Sequence, residues 1–555
     1  MEEQIKKYAL ENAIKFNGKA NPGAVIGSVI KDNPIVKNDL PALQKKALAI
    51  VKEINSLSLD EQKKQLESMA PELLEKKKFK KKDIFGSFKA EGDVVTAFPP
   101  EPSKYPHIGH AKALLINYEY AKRNNGKFIL RFEDTNPKLA KEEFYKIHLD
   151  NYEWLGIKPD KIDYASDYMD KFYEFALKVI QSDEAYMCTC TQKQVHNSRM
   201  KGKACSCRNR SPEQNLSLWR DMSRKEEESI ILRLKIDLKH KNSTMRDPTI
   251  FRIIKEPHVR LGTDYVVWPN YDFENAIMDG VEGVTYRFRS KEFEMRNELQ
   301  RYIQKLLGFK ETSIYEFARF NLEGVESSGR KIRDLIADEK LLGWDDPSLT
   351  TLVALKRRGF LPQAIKQFVL STGITKADST LTWDDLIIHN KRLLDSKCNR
   401  YFFIVEPVRI TIAGAPNQKV SLKLHPDNPK KGLRILNAKS DFYITKKDYK
   451  SLKENELYRL MDCLNFKKKK NSFVFNSLDY ESYKKIGDKI IHWLPVSDDL
   501  ITVEVLMPDK KIIKGLAEPL VKQLKEGTVI QFERFGFCKL EQNTPEKLSF
   551  IYTHK

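Results

Sequence analysis

Two histidines three residues apart, His107 and His110, flank Gly109 directly after a loop that carries Pro99, Pro100, Pro102 and Pro106. Before that loop, the apolar run of residues 94–98 (VVTAF) reads as a short buried strand. After it, residues 111–124 (AKALLINYEYAKRN) follow helical apolar spacing. Prolines packed so closely exclude helix, so the spacing predicts strand, stiff loop, then a helix whose first turn holds both histidines. Residues three apart share one face of such a turn. A helix start offers free N–H groups and partial positive charge, which suits a phosphate. Gly109 has no side chain, so a flat base or ribose can lie close to the backbone. A second constellation is Cys188 and Cys190, then fourteen residues, then Cys205 and Cys207, around a loop bearing Lys193, Arg199, Lys201 and Lys203. Two Cys-x-Cys pairs suit a tetrahedral zinc site of four thiolates, with reduced structural thiols as the alternative.

Those residues need a scaffold. The run 127–132 (KFILRF) is short and apolar enough for a buried parallel strand, and it ends in Glu133, Asp134 and Thr135. Ligands of open α/β sheets bind beyond the carboxyl ends of the strands. Glu133 is therefore a candidate partner for an ammonium group, while Asp134 or Thr135 fits a helix cap. Alternating strand, helix and strand predicts a doubly wound, Rossmann-like nucleotide-binding domain.

His-Ile-Gly-His after Pro-Pro-x-Pro resembles the ATP-binding signature of class I aminoacyl-tRNA synthetases. The longer run FPPEPSKYPHIGHAKALLIN resembles the glutamyl/glutaminyl branch, specifically glutamyl-tRNA synthetases of archaeal type. The resemblance implies ATP with Mg2+, L-glutamate and tRNA(Glu) as partners, and it leaves open whether tRNA(Gln) is also charged. It places Pro100, His107, Gly109, His110, Arg319 and Leu322 around ATP, and Glu133, Tyr271 and Arg289 around the amino acid. Glutamyl enzymes carry arginine at the position of Arg289 and glutaminyl enzymes a smaller neutral residue. The physics agrees, because a guanidinium binds a γ-carboxylate through charge-assisted, often bidentate hydrogen bonds. A glutaminyl enzyme, a nucleotidyltransferase and a non-catalytic tRNA-binding relative are the competing readings.

Two departures from the family pattern stand out. Relatives carry arginine two residues before the Pro-Pro, where this chain has Ala97. The second family signature, Lys-Met-Ser-Lys-Ser, appears here as Glu326-Ser327-Ser328-Gly329-Arg330, with Gly329 at its second lysine. Positive charge must still meet the departing phosphates, and Lys331 or Arg330 is expected to supply it, with Arg333 nearby.

The chain has 555 residues, 41% hydrophobic and 31% charged, enough for several domains. A net charge of +20 points to a polyanionic partner. No apolar run approaches the roughly 20 residues of a membrane span. The acidic start MEEQIKK lacks a secretory pattern, so no membrane association and a cytoplasmic location are expected. Expected divisions are a helical extension over 1–90, with a helix from 60 to 78 and a turn at Asn21-Pro22-Gly23. A catalytic domain over 91–345 follows, with an acceptor-binding insertion at about 187–260. A helical stem-contact region over 346–397 and anticodon-binding β-barrels over 398–555 complete the chain. In the insertion Arg208, Arg210 and residues 239–241 fit phosphate contacts, as does the triplet Lys356, Arg357 and Arg358 along the stem.

Overall fold

The computed structural model describes residues 2–555 apart from 17, 34–35, 37–38, 71–72 and 74–82. The chain forms two compact units, Met1–Asp83 and Ile84–Lys555. Among the described residues no helix is long and apolar enough to cross a membrane.

The first unit comprises four helices, α1 Glu2–Lys15, α2 Pro22–Asp32, α3 Leu40–Ile54 and α4 Leu59–Met69. Apolar residues at spacings of four (Ile5, Ala9 and Ala13; Val25 and Val29; Leu43, Ala47 and Val51) bury one stripe of each helix in a common core. Asn21 and Pro22 do not make a free turn. The Asn21 side chain accepts the N–H of Ala24, and Pro22 occupies the first helical position, where no N–H is needed. The helix expected over 60–78 ends at Met69, with Ala70 as its non-helical cap, and the lysine run 76–82 lies outside the described residues.

The second unit is built on a five-stranded parallel sheet. Its strands are β1 Val95–Phe98 and β2 Lys127–Phe132, connected by helix α5 Ile108–Arg123, then β3 Lys161–Tyr164 after helix α6 Glu142–Trp154. Helix α7 Met169–Gln181 leads into an antiparallel four-stranded insertion, β4 Ala185–Cys188, β5 Ile231–Leu234, β6 Thr249–Ile253 and β7 Val267–Pro269. Helix α8 Gln192–Lys201 and helix α9 Pro212–Asp221 lie between β4 and β5. The parallel sheet resumes through helix α10 Tyr271–Glu282, β8 Tyr286–Ser290, helix α11 Glu294–Leu307 and β9 Ser313–Phe317. Its strand order is β3-β2-β1-β8-β9. The order reverses beside β1, so the crevice at the end of β1 is the binding site such a topology predicts.

Helices cover both faces of this sheet. On one, Asn117 of α5 donates from Nδ2 to the Phe288 carbonyl at 2.7 Å and accepts the Phe288 N–H at 3.0 Å. On the other, Arg131 of β2 reaches Asp279 and Glu282 of α10. The register pairs Thr96 with Tyr286, which sets Ala97 beside Arg287 on the α10 face.

Beyond β9, the short strand β10 Phe320–Leu322 precedes helix α12 Gly329–Ala337. Residues 346–397 then form helices α13 Leu352–Arg358 and α14 Pro362–Ser371, strand β11 Ser379–Leu381 and helix α15 Trp383–Asp395. This region is not free-standing. Leu352, Leu355, Ile365, Phe368 and Leu386 share one core with Phe98, Leu114 and Leu130, and β11 pairs with β10.

Two seven-stranded sheets complete the chain, and each curls back on itself. In one, the edge strands are β12 Arg400–Tyr401 and β13 Phe403–Val405, separated by a single residue. In the other the edges are Gly487–Ile491 and Leu494–Pro495, two residues apart. Edge strands that follow one another so closely in sequence must lie close together, and one of the two sheets is nearly barrel-shaped, where barrels were expected throughout 398–555.

Candidate active site

The first signature loop leaves the end of β1 and is pinned on both sides. The Ile108 N–H donates to the Thr350 carbonyl at 3.0 Å and the Leu352 N–H to the Pro106 carbonyl at 2.9 Å. His148 of α6 holds the loop from below, its Nε2 2.9 Å from the Lys104 carbonyl and its Nδ1 2.6 Å from the Tyr152 hydroxyl. Neither His148 nor Thr350 carries a recognisable motif, and sequence reasoning passed over both.

His107 is the residue that caps α5. Its Nδ1 accepts the Gly109 N–H at 3.0 Å, and the His107 N–H donates to Nδ1 of His110 at 3.1 Å. An Nδ1 that accepts carries no proton, so each neutral imidazole keeps its proton on Nε2, as a donor free for a ligand. Burial, with help from the positive charges of Lys104 and Arg319, pushes His107 down to about 3. Burial pushes His110 well below its ordinary value in the same way, with His107 adding to the effect. At neutral pH the pair is therefore two neutral donors, ring centroids 3.9 Å apart. Gly109 proves necessary for a different reason than room for a base. A Cβ there would stand 2.7 Å from Cε1 of His107, so its absence admits the histidine's own ring.

The second signature loop closes on the same place. Lys104, Tyr105 and His107 line one cavity together with Glu326, Ser327 and Gly329. The Glu326 carboxylate accepts the N–H groups of Ser327 (3.0 Å) and Ser328 (2.8 Å), which shapes the approach to α12. Arg330, Lys331 and Arg333 are exposed, and Lys331 leans towards Glu326 at 3.6 Å. Arg319 is exposed and paired with Glu292, whereas Leu322 is buried in β10.

Beside this pair of loops lies a buried polar layer. The Glu133 N–H donates to the Pro100 carbonyl at 3.0 Å, which ties the acid to the signature loop. Oε1 of Glu133 accepts from Arg131 Nη2 at 3.2 Å and from Nδ2 of Asn275. Arg287 donates to Oδ1 of the same Asn275 and to Asp279, so it fixes the amide with its NH2 group turned to Glu133. Burial raises the Glu133 pKa even though Arg131 and Arg287 oppose it. Glu274 is fully buried with neither carboxylate oxygen hydrogen-bonded, and burial drives its pKa well up, towards the neutral acid. The signal for this layer was in the chain. Positions 271, 275 and 279 share one helical face, and Arg131 with Glu133, like Arg287 with Arg289, alternates on a strand.

Arg289 ends that layer. It is 6% exposed, and its hydrogen bonds go to Tyr271 Oη (2.7 Å), Gln300 Oε1 (2.7 Å) and Asn297 Oδ1 (3.3 Å), with the Phe293 ring 4.5 Å from the guanidinium. Every one of those partners is neutral. Burial pushes the Tyr271 hydroxyl up to about 12, against the pull of Arg289. The site thus joins a pair of neutral donors at a helix start to a buried cation with no carboxylate among its hydrogen-bond partners, an arrangement fit for a phosphate chain and a second anionic group side by side.

In the insertion, the four cysteine sulfurs all lie within 4.8 Å of one another, with Cys188–Cys205 and Cys190–Cys207 each at 3.9 Å. Burial works against ionisation of Cys207, yet hydrogen bonding to Thr189 and the charge of Arg210 draw its thiol down to about 7. The arginines expected to grip phosphates here are used otherwise. Arg208 bonds Asp247 at 2.7 Å and the Ile236 carbonyl at 3.2 Å, and Arg210 bonds the Met187 carbonyl and the Thr189 hydroxyl. Both brace the cysteine loop. Arg357 and Arg358 likewise turn inward. Arg357 pairs with Glu541 at 2.7 Å, and buried Arg358 donates to the carbonyls of Pro347 (2.8 Å) and Thr553 (2.7 Å).

The catalytic-domain profile of tRNA synthetases class I (E and Q) matches residues 93–396, and the anticodon-binding-domain profiles of the same group match 398–479 and 490–541. The chain belongs to this family of class I tRNA synthetases. Its relatives include proteins named glutamate–tRNA ligase: 40% identical in Pyrococcus furiosus, over 100% of both chains, and 42% in Pyrococcus abyssi, over 99% of both. One from Methanocaldococcus jannaschii is 38% identical over 100% of both chains.

Proposed function

We propose that this chain is a glutamate–tRNA ligase acting in the cytoplasm. It joins L-glutamate to AMP from ATP, with release of pyrophosphate, and passes the glutamyl group to the 3'-terminal adenosine of tRNA(Glu). The observation that carries this reading is Arg289, a buried guanidinium whose hydrogen-bond partners are all neutral. A buried charge without a counter-charge is costly, and the γ-carboxylate of glutamate supplies that counter-charge while glutamine cannot. Tyr271 orients the guanidinium. Glu133 receives the α-ammonium on Oε2, since Oε1 takes both of its protein hydrogen bonds.

In the first step an oxygen of the glutamate α-carboxylate attacks the α-phosphorus of ATP. The bond to the β-phosphate oxygen breaks and its electron pair leaves with pyrophosphate. His107 and His110 hold the phosphate oxygens through Nε2–H as charge shifts onto the leaving group, and Pro100, Gly109, Arg319 and Leu322 border the nucleotide. Mg2+ with ATP adds charge neutralisation. In the second step the terminal ribose 2'-hydroxyl attacks the acyl carbon and AMP departs.

Cys188, Cys190, Cys205 and Cys207 hold a structural Zn2+. Two of the six sulfur separations, at 3.9 Å, match the about 3.8 Å expected between sulfurs of a tetrahedral site with Zn–S near 2.3 Å, and all six lie within 4.8 Å. Metal analysis of untagged protein should return one equivalent of zinc, falling below half in a Cys205→Ser variant.

The deciding experiment charges purified tRNA(Glu) and tRNA(Gln) with glutamate and with glutamine. Glutamate on tRNA(Glu) is expected, with pyrophosphate exchange requiring both glutamate and tRNA. Preference for glutamine would overturn the assignment, and the tRNA(Gln) arm measures whether the acceptor range is wider.

A further inference from the structure

Gly329 leaves the second signature without its lysine, and the three cations that follow it point to solvent. The position is not empty of charge, however. A Cβ built on Gly329 would lie 3.6 Å from Cδ and 3.9 Å from Cβ of Lys104, with Trp344 at 4.0 Å. The stem of Lys104 thus runs alongside Gly329, within ordinary contact distance of where a side chain at 329 would begin. Lys104 belongs to the other signature loop, three residues before His107, and both line the cavity shared with Ser327 and Gly329.

The backbone of Lys104 is firmly placed. Its carbonyl is bonded to His148, which the Tyr152 hydroxyl holds in turn, and Tyr105 stacks on Trp344 at 5.0 Å and 12°. Lys104 and His107 line the same cavity, so the lysine side chain and the His107 ring border one space beside Ser327 and Gly329.

The geometry points to Lys104 as the lysine of this second signature, supplied from the first signature loop and admitted by Gly329. Resting on the ligase reading above, it is a catalytic residue that touches the β- and γ-phosphate oxygens. As the bond between α-phosphorus and the bridging oxygen breaks, the electron pair settles on pyrophosphate and the ammonium neutralises it. No proton is transferred. A lysine on the pinned loop is held ready.

The test is glutamate- and tRNA-dependent pyrophosphate exchange in four proteins of unchanged melting temperature: parent, Lys104→Met, Lys104→Gly, and Lys104→Gly combined with Gly329→Lys. Loss of one preorganised transition-state donor costs about 10²–10³-fold in kcat, and that loss is expected for both single variants, with the KM for glutamate within about threefold of the parent. Returning the lysine to position 329 should recover at least about tenfold. Single variants within about threefold of the parent, a loss confined to the glutamate KM, or a double variant no better than Lys104→Gly would each overturn the proposal while leaving the ligase reading intact. An inactive parent would instead overturn that reading, and this one with it.

Discussion

Nη2 of Arg289 donates to the Tyr271 hydroxyl across 2.7 Å, which joins the end of β8 to the first residue of α10. The bond fixes a buried cation whose hydrogen bonds include no carboxylate. Removing the charge should therefore damage recognition of the amino acid rather than of ATP. Arg289→Gln is expected to lower kcat/KM for glutamate by about 10- to 100-fold, the range of a charge-assisted hydrogen bond. The KM for ATP should stay unchanged. Pyrophosphate exchange at varied glutamate and varied ATP separates the two.

Arg131 lies fully buried among Glu133, Asp279 and Glu282, at 3.2, 3.2 and 2.5 Å. Arg131→Met strips Glu133 and Glu282 of their hydrogen-bonded counter-charge and leaves Asp279 to Arg287 alone. Breaking a buried ion pair costs about 3–5 kcal/mol, so the melting temperature should fall by several degrees. Adding Glu282→Gln to that variant should recover part of the loss, because one like charge is gone. No change in thermal melting for the single variant would contradict the role given to this layer.

The basic triplet at the end of α13 makes a separate prediction. Arg358 is buried against two carbonyls, and burial pulls its pKa down to about 10. Arg358→Met should destabilise the protein by about 1–3 kcal/mol, the cost of stranding buried acceptors. A direct phosphate contact would instead reduce the salt dependence of tRNA binding. Binding isotherms at several salt concentrations should give parent and variant the same slope.

His107 keeps its neutral form in the folded protein down to about pH 3, while the unfolded chain takes up a proton near 6.5. Between those values the unfolded state binds more protons, so acidification costs stability and a rise in pH restores it. The loss is up to about 1.4 kcal/mol per pH unit for such a group. His107→Asn should therefore show a smaller fall in melting temperature from pH 6.5 to 5 than the parent. In the same range kcat/KM for ATP should show no ionisation near 6.5 that belongs to His107.

Much of this protein was legible in the chain because the relevant interactions are local. Proline spacing and helical periodicity define strand–loop–helix over 94–124, and β1 and α5 fall where that spacing put them. Histidines three apart had to share a face, whereas the two cysteine pairs, separated by α8, met only in the fold. Runs of alternating residues likewise marked the strands beyond residue 400.

Only the tertiary structure decided which charges are spent. Arg208, Arg210, Arg357 and Arg358 look like RNA contacts in the sequence, but carboxylates and carbonyls distant in the chain take them up. Arg289 looks no different from them, yet its hydrogen bonds go to three neutral side chains, whereas each of the other four is taken up by a carboxylate or a backbone carbonyl. Gly329 read as a loss, and three-dimensional packing sets Lys104 alongside it from more than two hundred residues away. The reason is physical. Periodicity and chain stiffness act over a few residues, whereas neutralisation of a charge depends on whatever the fold brings within about 4 Å, which no local pattern encodes.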